Sequence, residues 1–365
     1  MNIYMIGICG VAMGSLACML REIGHNVSGS DKNIYPPMSD VLRSAGIDFA
    51  EGFDPAHMGA PGLVVIGNAV SRGNPQAEHV LNADLPYCSM AEALKRFFLQ
   101  GKEVIAIAGT HGKTTTTALL SHILITSGLD PGCFIGGVTK NYGSNYRLGS
   151  GKYFVIEADE YDSAFFEKVP KFMFYRPRHL VMTSLEYDHA DIYGSLDEIE
   201  LWFRRLVNIV PSQGNVVYSA HYPILSGIAA KSFAPVCSFG TEGEGSVSCS
   251  FKGYNGDNTD FVLSSAETGA LPCSMPIFGG FNLANAAAAS AMAVRLGAPH
   301  SGIAEALSTF QGVKRRQELI FSSPTVKVYE DFAHHPTAVR AVLETMRRRY
   351  PHAKIYAVYE PRSAT

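Results

Sequence analysis

In VIAIAGTHGKTTTTALL, residues 104–120, an apolar run leads into a loop of glycine, lysine and threonine. The common phosphate-binding loop has the spacing G-x-x-x-x-G-K-[ST], which requires an earlier glycine upstream of the glycine-lysine pair. Ile107 occupies the position of that earlier glycine, and the pair itself is Gly112 and Lys113. The stretch predicts either a nucleotide site with a shortened loop or a cluster of glycines and threonines without that function.

The order of elements around this loop favours the nucleotide site, because a strand, the loop and a helix follow one another. Lys113 would contact the β- and γ-phosphates of ATP, the Thr114 hydroxyl would complete a magnesium shell, and the amides of 110–114 would surround an anion. Apolar residues between 119 and 124 predict one buried helix face, and Gly128 predicts the end of the helix. A threonine-rich helix cap is the alternative.

Composition describes an ordinary globular enzyme. The 365 residues are 47% hydrophobic and 17% charged, which predicts two or three domains and excludes a disordered chain. A net charge of −3 gives no argument for nucleic acid or a membrane surface as a partner. The 7 cysteines form no C-x-x-C pair, which is typical of reduced thiols. Without a leader or a membrane-length apolar stretch, we expect a cytoplasmic protein, whose oligomeric state the sequence does not indicate.

Apolar strands alternate with helical segments along most of the chain, which predicts βαβ units and the α/β fold class. We expect a Rossmann-like domain over 1–100, a P-loop-type central domain over 101–322, and the start of an incomplete third α/β domain over 323–365. Residues 215–276 predict a small antiparallel excursion or a loop-rich insert. AKIYAVYEP, residues 353–361, predicts one further strand.

A second glycine-rich loop, GICGVAMGS at residues 7–15, lies at the first strand-to-helix turn. Glycines there let backbone amides approach a pyrophosphate, and Asp31, at the end of the next strand, can hold a ribose hydroxyl. Cys9 and Ala12 interrupt the dinucleotide spacing G-x-G-x-x-G. The loop therefore leaves three interpretations open: an NAD-type site, a site for another nucleoside diphosphate, or a plain tight turn.

Acidic and histidine side chains follow two predicted strands. Glu157, Asp159 and Glu160 stand at the end of one strand, and Asp188 and His189 follow the next. Carboxyl ends of parallel strands open onto the crevice of an α/β sheet, where a phosphate site also lies. The sequence therefore predicts a magnesium site near the loop around Lys113.

The motifs in their order resemble the Mur ligase family of cell-wall precursor enzymes, and the resemblance covers essentially the whole chain. They are GTHGKTTT (109–116), EADE (157–160), DHAD (188–191), NLANAAA (282–288), KRR (314–316) and DFAHHPT (331–337). THGKTTTT and HHPT point to the muramate-type members. YPPMS (35–39), GNAVSRGNP (67–75) and EYDHADIY (186–193) favour the branch that serves murein recycling.

The resemblance implies an ATP-dependent ligase that forms an amide through an acyl phosphate. Its substrates would be UDP-N-acetylmuramate and the peptide L-alanyl-γ-D-glutamyl-meso-diaminopimelate, and its cofactors ATP and Mg²⁺. Addition of L-alanine to the same UDP-sugar is an alternative. The family's third domain normally continues further, so a catalytically incomplete UDP-sugar-binding fragment is another.

The resemblance also implies a role for each matched residue. Those expected to hold the UDP-sugar are Gly7, Gly10, Gly14, Asp31 and Asn68. Those expected to hold ATP are Gly109, Thr110, His111, Gly112, Lys113, Thr114, Thr115, Asn282, Asn285, Arg316, Asp331 and His335, with both asparagines facing adenine and Arg316 the γ-phosphate. The expected metal ligands are Thr114, Glu157 and His189, and the expected catalytic set is Lys113, Glu157, His189 and Arg316.

The sequence departs from the family pattern at a few positions. Phe281 stands where histidine usually precedes the first asparagine, and Ser184 replaces the usual asparagine before the Asp-His pair. No lysine occurs between Lys171 and Lys231, so the carbamylated lysine of some members has no counterpart at its usual place. The muramate-type branch is expected to lack that lysine.

Overall fold

A computed structural model of the protein describes residues 1–188 and 192–360. The chain divides into two compact units, one comprising Met1–Lys102 with Asp159–Tyr175 and the other comprising Glu103–Ala158 with the chain from Arg176 onward. The first unit thus contains a later segment that a boundary near residue 100 does not include. The start of a separate domain at 323 stays a prediction, because those residues lie within the second unit.

The first unit is built on a parallel sheet of five strands in the order β3-β2-β1-β4-β5. Its elements up to Lys102 are β1 (Asn2–Ile6), α1 (Val11–Glu22), β2 (Asn26–Asp31), α2 (Met38–Ser44), β3 (Asp48–Glu51), a 3₁₀ helix (Pro55–Met58), β4 (Leu63–Ile66), α3 (Pro75–Asn82), β5 (Tyr87–Ser89), α4 (Met90–Leu94) and a π-helical turn (Lys95–Leu99). Strand β1 lies at the centre, and Met5 and Ile6 in it are completely buried.

The second unit is built on a sheet of ten strands. The elements from residue 103 to 182 are β6 (Glu103–Ala108), α5 (Lys113–Thr126), β7 (Gly132–Phe134), β8 (Tyr146–Arg147), β9 (Tyr153–Ala158), β10 (Asp162–Ala164), β11 (Glu167–Pro170), α6 (Phe172–Tyr175) and β12 (His179–Met182). Of these, the antiparallel pair β10 and β11 and the short helix α6 belong to the first unit.

The remaining elements complete the second unit. They are α7 (Leu196–Asn208), β13 (Asn215–Ser219), α8 (Pro223–Ala229), β14 (Val236–Thr241), β15 (Val247–Asn255), β16 (Asn258–Ser265), β17 (Gly269–Met275), α9 (Gly280–Arg295), α10 (His300–Thr309), β18 (Glu318–Ser322), β19 (Lys327–Glu330) and α11 (Pro336–Arg349). The large sheet has the order β17-β16-β15-β14-β13-β12-β6-β9-β7-β8, and β18 pairs with β19 separately.

Helix α5, which follows the phosphate loop, is buried more completely than predicted. Every residue from 114 to 124 is buried, not one face alone, because α5 packs against α9 and α10 as well as β6 and β9. The alanines at 286–289 in α9 are completely buried, and their small side chains allow the helices to approach closely. Gly128 follows the end of α5 with φ +75°, as the sequence predicted.

Two expectations about strands need correction. Within 215–276, β13 and β14 join the parallel part of the large sheet, with α8 between them, and β15 pairs in parallel with β14. Only the pairings of β15 with β16 and of β16 with β17 are antiparallel. The strand predicted over 353–361 is wrong for its described part, because residues 354–360 pair with no strand that the structure describes.

The predicted α/β class is confirmed, since parallel strands alternate with helices in both units. Across residues 1–188 and 192–360, no helix combines the length and the apolar character needed to cross a bilayer.

Candidate active site

The loop between β6 and α5 is shaped by glycines that cannot be replaced without strain. Gly109 has φ +138° and Gly112 has φ +82°, in a region that side-chain-bearing residues rarely adopt. A Cβ on Gly109 would overlap the Thr183 hydroxyl, and one on Gly112 would lie 2.5 Å from Asn285 Oδ1. Ile107, at the position of the first glycine in the common pattern, is completely buried within β6. The strand therefore continues past this position, and the loop comprises only residues 109–112.

The end of the neighbouring strand β12 holds this loop in place. The backbone amide of His111 donates to Ser184 Oγ at 2.7 Å, and the Thr183 hydroxyl donates to the His111 carbonyl at 2.5 Å. Ser184 therefore takes over a structural task at the loop, which the sequence had presented only as a departure from the family pattern. Thr183 was not predicted, because only the parallel pairing of β12 with β6 brings it to the loop.

The side chains expected to hold magnesium meet at the start of α5. Thr114 Oγ1 donates to Glu157 Oε1 at 2.7 Å, and the other carboxylate oxygen of Glu157 accepts from the Gly136 amide. Neighbouring ligands in an octahedral Mg²⁺ shell stand about 2.9 Å apart, so Thr114 and Glu157 fit a shared ion. Burial raises the pKa of Glu157, although Thr114, Lys113 and Arg316 oppose this effect. A cation at this place would relieve the cost of burying the carboxylate.

Basic side chains converge on the same place. Lys113 Nζ donates to the Gly109 carbonyl at 2.6 Å, and Arg316 Nη2 donates to Thr114 Oγ1 at 3.2 Å. Burial lowers the pKa of Arg316, although Glu157 and Asp331 oppose this effect. The start of α5 also presents the backbone amides of its first turn, which have no acceptor within a helix. The arrangement can therefore bind a polyanion.

The chain around Arg316 adopts an unusual backbone. Arg315 and Gln317 have φ +62° and +47°, in the left-handed region that residues with side chains occupy rarely. Asp331 accepts from the Gln317 amide at 2.8 Å and from the Ala333 amide at 2.7 Å. Asp331 thus holds the segment that carries Arg316. Its predicted nucleotide contact stays a prediction.

The two asparagines of α9 are buried and bonded to each other. Asn285 Nδ2 donates to Asn282 Oδ1 at 3.2 Å, and Thr116 Oγ1 donates to Asn285 Oδ1 at 3.2 Å. Asn282 donates to the Phe278 carbonyl at 2.7 Å. Because Asn285 lies against Gly112, it stands at the phosphate end of the candidate site. The adenine contact of both asparagines remains a prediction.

A further group next to the loop contains His111, Glu186 and His335. Nε2 of His111 lies 3.3 Å from Glu186 Oε2, and Nδ1 of His335 lies 3.6 Å from the same oxygen. Thr110 joins this group through the backbone of Glu186, whose amide donates to Thr110 Oγ1 at 2.9 Å. The sequence did not single out Glu186, because His111 and His335 lie far from it along the chain and no local pattern reveals these contacts.

The roles of the remaining residues predicted for the magnesium site stay predictions. His189 lies outside the described residues. Asp159 and Glu160 belong to the first unit, where Asp159 pairs with Lys171 at 3.1 Å. The expectation that Asp159 and Glu160 accompany Glu157 at the magnesium site stays a prediction.

The first glycine loop, residues 7–15 of the first unit, is held by hydrogen bonds to the end of β2. Its amides are bonded to β2: Gly7 donates to the Ser30 carbonyl at 2.8 Å and Cys9 donates to Asp31 Oδ2 at 2.9 Å. Asp31 thus fixes the loop. A Cβ on Gly14 would overlap the sulfur of Met38, which gives this glycine a packing role.

The other predicted UDP-sugar residues of this unit lie near the end of β1. Gly10 precedes α1 with φ −63°, a conformation open to other residues. Asn68 is exposed in the turn after β4, the strand that pairs with β1. The UDP-sugar roles of all these residues stay predictions.

Comparison with known proteins adds a separate line of support. Residues 107–293 match the family model of the Mur ligase middle domain. Residues 2–102 match the family model named 'Mur ligase family, catalytic domain'. The UDP-N-acetylmuramate–L-alanyl-gamma-D-glutamyl-meso-2,6-diaminoheptandioate ligase of Escherichia coli is 41% identical over 370 residues, which cover 100% of this chain and 80% of that protein. The UDP-N-acetylmuramate–L-alanine ligase of Clostridium acetobutylicum is 34% identical, over 99% and 77% respectively.

Solved structures resemble the chain over similar lengths. The murein peptide ligase of Psychrobacter arcticus is 38% identical with a TM-score of 0.85, covering 100% of this chain and 79% of that one. The UDP-N-acetylmuramate-alanine ligase of Thermotoga maritima is 27% identical with a TM-score of 0.84, covering 96% and 79%.

Proposed function

The chain belongs to the Mur ligase family, and we propose that it is an ATP-dependent ligase joining UDP-N-acetylmuramate to L-alanyl-γ-D-glutamyl-meso-diaminopimelate. The resemblance in its motifs is thereby confirmed at the level of the family. Two relatives named for this tripeptide substrate are 41% and 38% identical to the chain, compared with 34% for the L-alanine ligase of Clostridium acetobutylicum. This difference supports the tripeptide as the amine substrate.

The observation that carries the proposal is the meeting of Thr114, Glu157 and Arg316 at the start of α5. A carboxylate is a poor electrophile, and its conversion into an acyl phosphate by ATP makes the carbonyl carbon reactive. The amine of the tripeptide then attacks that carbon, the amide bond forms and phosphate leaves. The protein's task is to position the triphosphate and to stabilise charge that develops on the transferred phosphoryl group.

Each residue of the loop has a defined task in this scheme. Lys113 would pair with the phosphate oxygens, releasing its bonds to the loop carbonyls. Arg316 would stabilise the γ-phosphoryl group, since a guanidinium offers two parallel donors to phosphate oxygens. Thr114 and Glu157 would hold Mg²⁺, which supplies positive charge to the phosphate oxygens when bound. His189 is proposed as a further ligand from its motif alone.

The first unit would hold the UDP-sugar. Gly7, with φ +84°, lets the backbone turn at the end of β1, and α1 starts at Val11, directly after Gly10. The start of a helix favours a diphosphate. NAD is the alternative ligand for a loop of this kind, and fluorescence titration with NADH distinguishes the two.

The experiment is a measurement of ADP release by the protein with UDP-N-acetylmuramate and ATP. We expect the tripeptide to stimulate ADP release far more than L-alanine does. Stimulation by L-alanine alone would assign the chain to the second candidate, which the similarity to L-alanine ligases supports. Binding of UDP-N-acetylmuramate without ADP release with either amine would support a UDP-sugar-binding fragment, and would contradict the ligase proposal for this chain.

A further inference from the structure

The group of His111, Glu186 and His335 has the composition and spacing of a metal site distinct from the Thr114–Glu157 pair. One ligand atom from each residue lies within 4.8 Å of the other two. The carboxylate oxygen Glu186 Oε2 is 3.3 Å from His111 Nε2 and 3.6 Å from His335 Nδ1. Two ligands of a tetrahedral zinc ion stand about 3.3 Å apart, so both pairs already have nearly the spacing that a shared ion requires.

We propose that His111 Nε2, Glu186 Oε2 and His335 Nδ1 bind a divalent transition-metal ion of the zinc class, with water as the remaining ligand. Two imidazoles and one carboxylate suit zinc, cobalt or nickel, whereas Mg²⁺ prefers an all-oxygen shell. Thr114 and Glu157 offer oxygen ligands, and His189, proposed from its motif, would add at most one imidazole there. The group with two imidazoles therefore favours an ion of the zinc class more strongly.

The ligands are prepared to bind a cation. Burial lowers the pKa of His111, although Glu186 opposes this effect, and the neutral imidazole is the form that binds a metal. Binding selects the tautomer with its proton on Nδ1, because Nε2 then offers a lone pair to the ion in place of a hydrogen bond to Glu186. Burial alone would raise the pKa of Glu186, but hydrogen bonds from Thr337 and His111 outweigh it and hold the pKa below its ordinary value. The carboxylate is therefore ionised when the ion arrives.

Outer hydrogen bonds fix the orientation of the central carboxylate. Tyr222 OH donates to Glu186 Oε1 at 3.2 Å, and Thr337 Oγ1 donates to Glu186 Oε2 at 2.8 Å. Partners of this kind orient the ligands of known metal sites. Because Oε1 is held by Tyr222, Oε2 is left facing the two imidazoles.

Metal binding has a local cost. His335 is the N-cap of α11, and its Nδ1 accepts from the Thr337 amide at 3.3 Å, a long hydrogen bond. A metal ion would take this lone pair from the cap. The ion would in return connect the phosphate loop, through His111, with the first residues of α11, so its occupancy would restrict the loop that is proposed to hold ATP.

The test is zinc titration by calorimetry, with nucleotide-free protein in excess MgCl₂ so that the oxygen site is filled by magnesium. We expect one zinc ion per chain. Glu186→Gln and His335→Asn should each weaken binding at least about 100-fold, since even loss of an outer-shell partner costs 10–100-fold. Asparagine is a preferred N-cap residue, so His335→Asn removes the imidazole but preserves the start of α11. Tyr222→Phe should weaken binding about 10-fold.

Two control variants separate this site from other places where zinc could bind. Glu157→Gln removes the candidate magnesium ligand, and His221→Gln changes an exposed histidine that lies 4.0 Å from Glu244. Both should bind zinc as the unchanged protein does. Cobalt in place of zinc should give a visible spectrum without the intense thiolate charge-transfer band that a cysteine ligand produces.

The proposal would be overturned if zinc bound equally well to Glu186→Gln and His335→Asn, if Glu157→Gln abolished binding, or if the thiolate band appeared. Binding of no zinc by the unchanged protein would overturn it as well. Since the measurement reports metal binding and not ligase turnover, its failure would leave the proposed ligase function unaffected.

Discussion

The two glycine loops of this protein use the same backbone device for different purposes. In both, the amide two residues after the first glycine is held by a side chain from the end of an adjacent parallel strand: Cys9 by Asp31, and His111 by Ser184. The second loop alone continues into Lys113 and a threonine. We infer that the strand–loop–helix turn supplies the backbone frame of both loops, and that the side chains at the start of each helix would determine which ligand it accepts.

The largest expected effect comes from the lysine that the first loop lacks. Lys113→Ala should reduce ligase activity by about 10³-fold or more, because it removes a fixed positive charge from the transferred phosphoryl group. Calorimetry should show loss of ATP binding with UDP-N-acetylmuramate binding retained. Lys252→Ala, an exposed lysine on β15, is the matched control. If Lys113→Ala lost ATP binding and UDP-N-acetylmuramate binding equally, the assignment of different ligands to the two loops would be contradicted.

The carboxylate beside the second loop should have the next largest effect. Glu157→Gln should lower activity about 10²–10³-fold, because a neutral amide is a weaker Mg²⁺ ligand than a carboxylate. Activity measured against MgCl₂ concentration should show a raised requirement for the metal. An unchanged magnesium dependence would contradict the assignment of Glu157 as a ligand.

The same residue makes a prediction about stability. Burial raises the pKa of Glu157 in the folded protein above its unfolded value, so the folded state binds the proton more tightly. The contribution of this proton to the free energy of unfolding is fully present below the pKa of Glu157 in the unfolded chain. It is lost as pH rises through the pKa of Glu157 in the folded protein. Urea unfolding in EDTA should therefore show stability falling with pH across that window, and Glu157→Gln should remove this component. An identical pH dependence in both proteins would contradict it.

Alanine substitutions at glycines should show which loop has the more strained backbone, through their effects on the free energy of unfolding. Gly109→Ala should cost about 2–4 kcal/mol, since φ +138° and the overlap with Thr183 combine strain with a clash. Gly10→Ala should cost less than about 1 kcal/mol, because its φ is −63° and the nearest atom to a Cβ is 3.6 Å away. Denaturant unfolding measures both, and similar losses would show that the loops are equally constrained.

A smaller loss than that of Gly109→Ala is expected for the side chain that holds the second loop. Ser184→Ala removes the acceptor of the His111 amide and should cost about 1–2 kcal/mol in the free energy of unfolding. Ser184→Asn restores an acceptor and should recover part of the loss. If Ser184→Ala left stability and ATP affinity unchanged, the hydrogen bond from the His111 amide to Ser184 would have no energetic role.

Sequence reasoning succeeded where local order determines structure. The run from β6 through Gly112 to α5 could be predicted, because the apolar run, the glycines and the lysine occur within one short segment. Its one error there, a helix with a single buried face, arose because α9 covers the other side, and α9 lies more than 150 residues later in the chain.

Apart from the meeting of Thr114 with Glu157, contacts between distant segments could not be predicted. Glu186 lies beside His111 and His335 only because β12 pairs with β6 and the chain before α11 returns to the loop. Similarly, the chain passes from the second unit into the first between Ala158 and Asp159. Nothing in the local pattern of EADE reveals that change of unit.

The central claim is that ATP activates the carboxylate of UDP-N-acetylmuramate as an acyl phosphate at the loop around Lys113. The most direct test is a turnover experiment with ¹⁸O in that carboxylate and mass analysis of the released phosphate. We expect one labelled oxygen per turnover in the phosphate, because the acyl–oxygen bond breaks when the amine attacks. Released phosphate without the label would contradict it.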